Sequence, residues 1–185
     1  MQHWHTRQAA RAMHHGGVIA YPTEAVWGLG CDPYNLAAVQ HLLAMKRRPM
    51  HKGLILVASD TDQVEPLLAN LTREQRGKVL ATWPGPVTWV LPDPEDIIPS
   101  WIKGKHHSVA VRVSAHSGVK RLCDMFGSFI VSTSANYASQ EPARDKLKVS
   151  INFGCDLAYL LPGELGSMAQ PTQIRSLETD ELLRR

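Results

Sequence analysis

Apolar positions along the chain fall into short runs of two periods, cut apart by glycine, proline and polar clusters. Gln8 to His15 reads as a helix stopped by Gly16-Gly17, glycines being common chain reversers after a last turn. Val18 to Tyr21 is a short buried strand that Pro22 ends. Asn35 is placed to cap the next helix, in which Leu36, Val39, Leu42 and Leu43 recur at helical spacing toward one face. That helix carries Lys46-Arg47-Arg48 at its end, and Pro49 stops it. Leu54 to Ala58 is a second strand, and Thr72-Arg73-Glu74-Gln75 has the form of a capping box opening another helix. Trp83-Pro84-Gly85-Pro86 makes a rigid turn into a strand over Val87 to Leu91. Val109 to Val113 alternates as a strand with Arg112 embedded in it. Phe129-Ile130-Val131 is a further strand running straight into Ser132-Thr133-Ser134-Ala135-Asn136. Leu157 to Leu161, Gln173-Ile174 and Leu182-Leu183 complete the strands, the last two as short edges. Strands alternate irregularly with helices, which predicts a mixed-sheet α/β fold in a single domain over residues 1–185. Pro92 to Pro99 is expected to be a surface loop and the best candidate for a mobile segment.

Composition narrows the setting. A chain of 185 residues that is 44% hydrophobic can bury a core without a disulfide or metal staple. Cys31, Cys123 and Cys155 are odd in number and far apart, with no C-x-x-C, which points to a reducing, cytoplasmic setting. The first eleven residues lack the apolar stretch of a signal peptide, and no apolar run approaches the ~20 residues that span a bilayer, so no membrane partner is expected. Net charge is +3 and clustered: Lys46-Arg47-Arg48 with His51 and Lys52, then Lys103, Lys105, His106 and His107, then Arg144, Lys146 and Lys148. Such clustering suits a polyanionic ligand. The nine histidines carry no H-E-x-x-H and no matched cysteine spacing, so they read as surface residues and no protein metal site is expected.

The candidate chemistry is therefore anion binding by side chains. There is no P-loop, and Gly28-Leu29-Gly30 is half of a dinucleotide fingerprint, read on its own as a tight turn. Lys46 and Arg48 can converge on a phosphate from a helix end, one as a compact charge and one as a planar fork. Spacing alone favours the simpler reading, a solvated basic terminus that complements the helix dipole. The Ser132–Asn136 run is a binding edge of hydroxyl and amide groups or, equally, a turn that satisfies its own backbone. Thr23 offers a hydroxyl and Glu24 a carboxylate, or Glu24 simply pairs with a basic neighbour. Arg112, inside an apolar strand, must either form a buried pair or face a ligand.

Five segments in order resemble one family. Tyr21-Pro22-Thr23-Glu24-Ala25-Val26-Trp27-Gly28-Leu29-Gly30-Cys31-Asp32 resembles the opening motif of the YrdC family. Lys46-Arg47-Arg48-Pro49, Trp83-Pro84-Gly85-Pro86-Val87-Thr88, Val109–Val113 and Ser132–Asn136 resemble its later motifs. The resemblance implies a twisted open mixed sheet flanked by helices, with a large basic concave face. It implies synthesis of threonylcarbamoyl-adenylate from L-threonine, bicarbonate and ATP, with Mg2+ on the nucleotide and release of pyrophosphate. The product would pass to downstream tRNA-threonylcarbamoyl transferase proteins that modify tRNA. It also implies roles: Lys46, Arg48, Ser134 and Asn136 as a catalytic tetrad on ATP, Arg184 on the nucleotide, and Thr23, Arg112 and Thr172 on threonine. The chain departs from the family after Asn136, where Tyr137-Ala138-Ser139-Gln140-Glu141-Pro142 stands in place of the usual Ser-Gly, and Tyr137 is expected to alter ribose or adenine packing. A second reading keeps the basic face as a non-catalytic RNA-binding module for tRNA or ribosome maturation. At 6% aromatic residues the chain has few stacking platforms for single strands, which favours a small-molecule pocket.

Overall fold

A computed structural model describes residues 2–184. Among these described residues nine strands form one mixed sheet: β1 (Ile19–Pro22), β2 (Trp27–Gly30), β3 (Ile55–Ala58), β4 (Val87–Pro92), β5 (Ser108–Val113), β6 (Ile130–Ser134), β7 (Tyr159–Leu160), β8 (Gln173–Ser176) and β9 (Leu182–Arg184). Their spatial order is β7-β1-β2-β6-β3-β5-β4-β8-β9. β3 and β5 run parallel at the centre, with antiparallel β6 and β4 on either side. Seven helices pack around them: α1 (Gln2–His14), α2 (Leu36–Lys46), α3 (Glu65–Leu68), α4 (Arg73–Leu80), α5 (Ser100–Lys103), α6 (Ser117–Phe126) and α7 (Lys146–Phe153). Among the described residues no helix is long and apolar enough to cross a membrane.

Strand alternation divides the core into two layers. Leu29, Val131, Leu56, Val111, Trp89 and Leu91 point to one face, where Val39, Leu42 and Leu43 of α2, with Leu67, Leu68, Val79 and Ile102, close over them. Ile19, Tyr21, Val57 and Ile130 point to the other face and meet Ala9, Met13, Val119, Leu122 and Phe126 of α1 and α6. These two helices cover only one end of that face. Its other end stays open, and the site lies there.

The caps form as the sequence predicts. Asn35 Oδ1 accepts from Ala38 N at 3.0 Å, and Thr72 with Gln75 makes a reciprocal capping box. Several boundaries differ. α1 begins at Gln2 rather than Gln8, and its His5 bonds the Tyr159 hydroxyl at 2.7 Å. Leu36 opens α2 but is exposed, so the helix's buried face starts at Ala38 and Val39. Gly28-Leu29-Gly30 is not a turn but strand β2, paired with β1 and β6. Its glycines are there for close approach: a Cβ on Gly30 would sit 2.7 Å from Val131 O and 2.8 Å from the Tyr21 ring. β8 is internal, between β4 and β9, so Gln173-Ile174 is no edge. The segment after Pro92 is pinned rather than loose. Asp93 is buried, accepts from Ile97 N and Ile98 N, and pairs with buried Lys103 at 2.9 Å.

Candidate active site

The open end of the sheet is a cleft of about 510 Å3. Its floor follows from period-two alternation. Opposite the core-facing residues of β2, β5 and β6 stand the small Gly28, Ala110, Ser132 and Ser134, with Ile55 and Val90 beside them on β3 and β4. Small side chains in successive strands leave a hollow that bulkier residues would fill. Tyr21 marks the boundary with the packed end, and its buried hydroxyl donates to Ser132 Oγ at 2.8 Å.

Six of the eight residues singled out from the sequence line this cleft: Thr23, Arg48, Arg112, Ser134, Thr172 and Arg184. Arg112 is 6% exposed, forms a buried pair and lines the cleft wall. Its Nη2 pairs with Glu24 Oε2 at 3.3 Å and its Nη1 donates to Thr172 Oγ1 at 2.5 Å, while its buried Nε has no partner. Glu24 also accepts from Ser114 Oγ at 2.6 Å. Arg184 belongs to edge strand β9 and is exposed as a residue, but its Nη2 turns in to donate to Thr172 O at 2.9 Å. Burial of that guanidinium, then the charges of Arg112 and Arg48, hold it below the ordinary arginine range. Arg48 is half-buried. It donates from Nη2 to Gly53 O at 3.0 Å, keeps a buried Nε without a partner, and is lowered by desolvation. Three guanidiniums thus share one cleft, with Glu24 as a counter-charge to one of them. Lys52 and His106, from the first two basic clusters, add to its rim, whereas Arg144, Lys146 and Lys148 do not line it.

Lys46 and Asn136 do not line the cleft; they are tied to it through Ser134. Lys46 is 3% exposed, and its ammonium donates to Ser134 O, to Asn136 O at 2.8 Å and to Asn136 Oδ1 at 3.3 Å. An ammonium has three N–H donors, so all three are engaged with the loop. Lys46 and Arg48 part company here: Arg47 between them turns into the left-handed region at φ 52°, and of the two only Arg48 lines the cleft. Burial, and then the neighbouring Arg48, push the Lys46 ammonium down to about 7. Asn136 Nδ2 donates to Tyr137 O and Gln140 O, and its Oδ1 accepts from Ser134 Oγ at 2.5 Å. A phosphate that accepts from Ser134 must take that proton from Asn136. Tyr137 packs on Phe153 with ring centroids 5.0 Å apart and donates to Asn152 O, which anchors the loop to α7 and does not put the ring on the cleft wall.

The sequence reasoning missed the partners of Arg112 and the whole of α6 and α7. Ser114 carried no signal, while Val119, Leu122, Cys123 and Phe126 recur at helical spacing and would have revealed α6. Among the described residues no group of three or more histidines, cysteines or carboxylates is placed to hold a metal ion.

A family model described as Sua5/YciO/YrdC, telomere recombination, matches residues 11–185. A protein of Hahella chejuensis named threonylcarbamoyl-AMP synthase is 47% identical over 184 residues, covering all of both chains. P. abyssi Sua5, solved in complex with L-threonine, superposes with a TM-score of 0.90 at 29% identity. The match covers all of this chain but 54% of that one, so the chain spans about half the length of that relative. E. coli YciO shares the fold, with a TM-score of 0.86 at 20% identity over 100% of this chain and 90% of the other.

Proposed function

Because the chain belongs to the Sua5/YciO/YrdC family, we propose that its cleft makes threonylcarbamoyl-AMP from L-threonine, bicarbonate and ATP, supplying the threonylcarbamoyl group for tRNA modification. The observation that carries this is the convergence of Arg48, Arg112 and Arg184 over a floor of small residues. It occurs in a chain that matches a named synthase from end to end, which decides against a non-catalytic RNA-binding module.

The chemistry needs positioning and charge neutralisation more than a nucleophile triad. The threonine amine joins the bicarbonate carbon and water leaves, giving a carbamate. A carbamate oxygen then attacks the α-phosphorus of ATP, the bond from phosphorus to the bridging oxygen breaks, and pyrophosphate departs. Arg112, with donors left over from Glu24 and Thr172, holds the threonine carboxylate. Thr23 donates its hydroxyl to Val26 O at 2.7 Å, which leaves its lone pairs free to accept from the threonine amine. Arg48, Ser134 and Arg184 take the nucleotide and its phosphates, and Lys46 with Asn136 shapes the loop that presents Ser134. Magnesium would arrive on ATP, neutralising phosphate charge as pyrophosphate leaves. Glu24, the carboxylate beside the cleft, is engaged with Arg112 and Ser114, so the chain's residues fit the metal–nucleotide polyanion rather than a bare ion.

Purified protein with magnesium is expected to release pyrophosphate from ATP only when threonine and bicarbonate are both present. Release no greater than from an Arg48→Ala, Arg112→Ala control, together with tight RNA binding, would reinstate the RNA-binding reading.

A further inference from the structure

Arg112 sits in a buried chain of hydrogen bonds joined by one ion pair, its polarity set atom by atom. His116 N donates to Ser114 Oγ at 3.1 Å, so the Ser114 hydroxyl proton must point elsewhere. It points to Glu24 Oε1, at 2.6 Å. The other carboxylate oxygen, Oε2, faces Arg112 Nη2 at 3.3 Å. Arg112 Nη1 in turn donates to Thr172 Oγ1. An arginine has only donors, so Thr172 must accept here and its own O–H proton is left to donate. The members are buried: Ser114 is 0% exposed, Thr172 4%, Arg112 6% and Glu24 7%. Backbone bonds fix the carboxylate's own segment from the far side, since Gly166 N donates to Thr23 O and Met168 N to Glu24 O. Gly166 is required for that approach, because a Cβ there would lie 2.6 Å from Glu24 O.

We propose that Glu24, held by Ser114, is the positioning residue for amino-acid recognition. It fixes the guanidinium plane of Arg112, and through Arg112 it orients the Thr172 hydroxyl as a donor, so that both present protons to one carboxylate. Ser114 and Glu24 act without touching the substrate themselves. This rests on the functional reading above, which places the threonine carboxylate at Arg112. The paired carboxylate also lets a buried arginine stay charged in the absence of substrate.

Two substitutions test it. Glu24→Gln keeps an oxygen for Ser114 but turns an N–H group toward Arg112, which sets donor against donor. Ser114→Ala removes the carboxylate's second partner from a position outside the cleft lining. Steady-state pyrophosphate release is measured for each while threonine and ATP are varied separately, with urea unfolding to confirm the fold. Both variants are expected to raise the threonine KM at least about tenfold, the loss of one hydrogen bond to a charged group, and to leave the ATP KM within about twofold. Glu24→Asp, which keeps the charge, is expected to recover part of the threonine KM. If Glu24→Gln does not fold, the Ser114→Ala split alone decides. Equal rises in both KM values, or an unchanged threonine KM in a folded variant, overturn the positioning role while the functional reading stands. A wild-type protein that releases no pyrophosphate removes that reading, and this inference with it.

Discussion

Lys46→Met separates the clamp on the Ser134–Asn136 loop from the charge that makes it. Methionine keeps the apolar stem and removes the ammonium that reaches Ser134 O, Asn136 O and Asn136 Oδ1. A buried acceptor left without its donor costs about 1–3 kcal/mol, so near neutral pH the variant is less stable than wild type by about that much. The pH dependence is more diagnostic. Burial first, then Arg48, lower this lysine from 10.5 to about 7 in the folded chain. Above pH 7 the unfolded chain keeps a proton that the folded chain gives up. The unfolded state then binds more protons, and wild-type stability rises with pH through that window. Between about pH 7 and about pH 9 this lysine contributes a rise of about 2 kcal/mol, from ~1.36 kcal/mol per pH unit less the part of the window in which the folded lysine is still protonated. The variant lacks it. Urea unfolding of both proteins from about pH 6 to about pH 9 gives the difference directly. Buried Cys31 and Cys123, whose thiols are raised chiefly by desolvation, give an opposing slope in both proteins that cancels in the difference. A wild-type-minus-variant difference that stays flat across this range would refute the argument that Lys46 is a desolvated ammonium spent on the loop.

Arg48→Met removes a desolvated charge from a crowded basic cleft, so stability should stay within about 1 kcal/mol of wild type while the ATP KM rises at least about tenfold, read by thermal melts beside kinetics. Gly30→Ala drives a methyl into Val131 O and the Tyr21 ring and should cost about 1–3 kcal/mol in urea unfolding, whereas Gly77→Ala, in helix α4 with nothing within 4 Å, should stabilise by about 0.5–1 kcal/mol. Asp93→Ala leaves buried Lys103 with Asp96 alone and frees Ile97 N and Ile98 N, at a cost of about 1–3 kcal/mol by the same measurement, with faster proteolysis within the Pro92–Pro99 segment.

Local signals in the chain were legible wherever the cause is local. Asn35 and Thr72 cap their helices because the cap and the N–H it satisfies are three residues apart. The alternation over Val109–Val113 put Arg112 inside a strand, and burial there required a partner, though nothing in the spacing named Glu24, which lies on β1's turn far away in sequence. Gly28 and Gly30 misled as a turn because their cause is long-range: Tyr21 and Val131 crowd β2 only once three strands are paired. Lys46 was found by its position at a helix end, but its hydrogen-bond partners were not. Its acceptors are carbonyls of the Ser134–Asn136 loop, which only the closed sheet brings to it. The cleft itself was written in the sequence as small residues at alternate strand positions, a pattern legible only after the strand order is known.

The central claim is that one cleft joins carbon from bicarbonate to threonine and then to AMP. Mass spectrometry of the reaction with carbon-13 bicarbonate, threonine, magnesium and ATP tests it most directly. The account predicts a threonylcarbamoyl-adenylate carrying one heavy carbon, formed together with pyrophosphate and lost in Arg112→Ala. An adenylate without the label, or pyrophosphate release that ignores threonine, would contradict it.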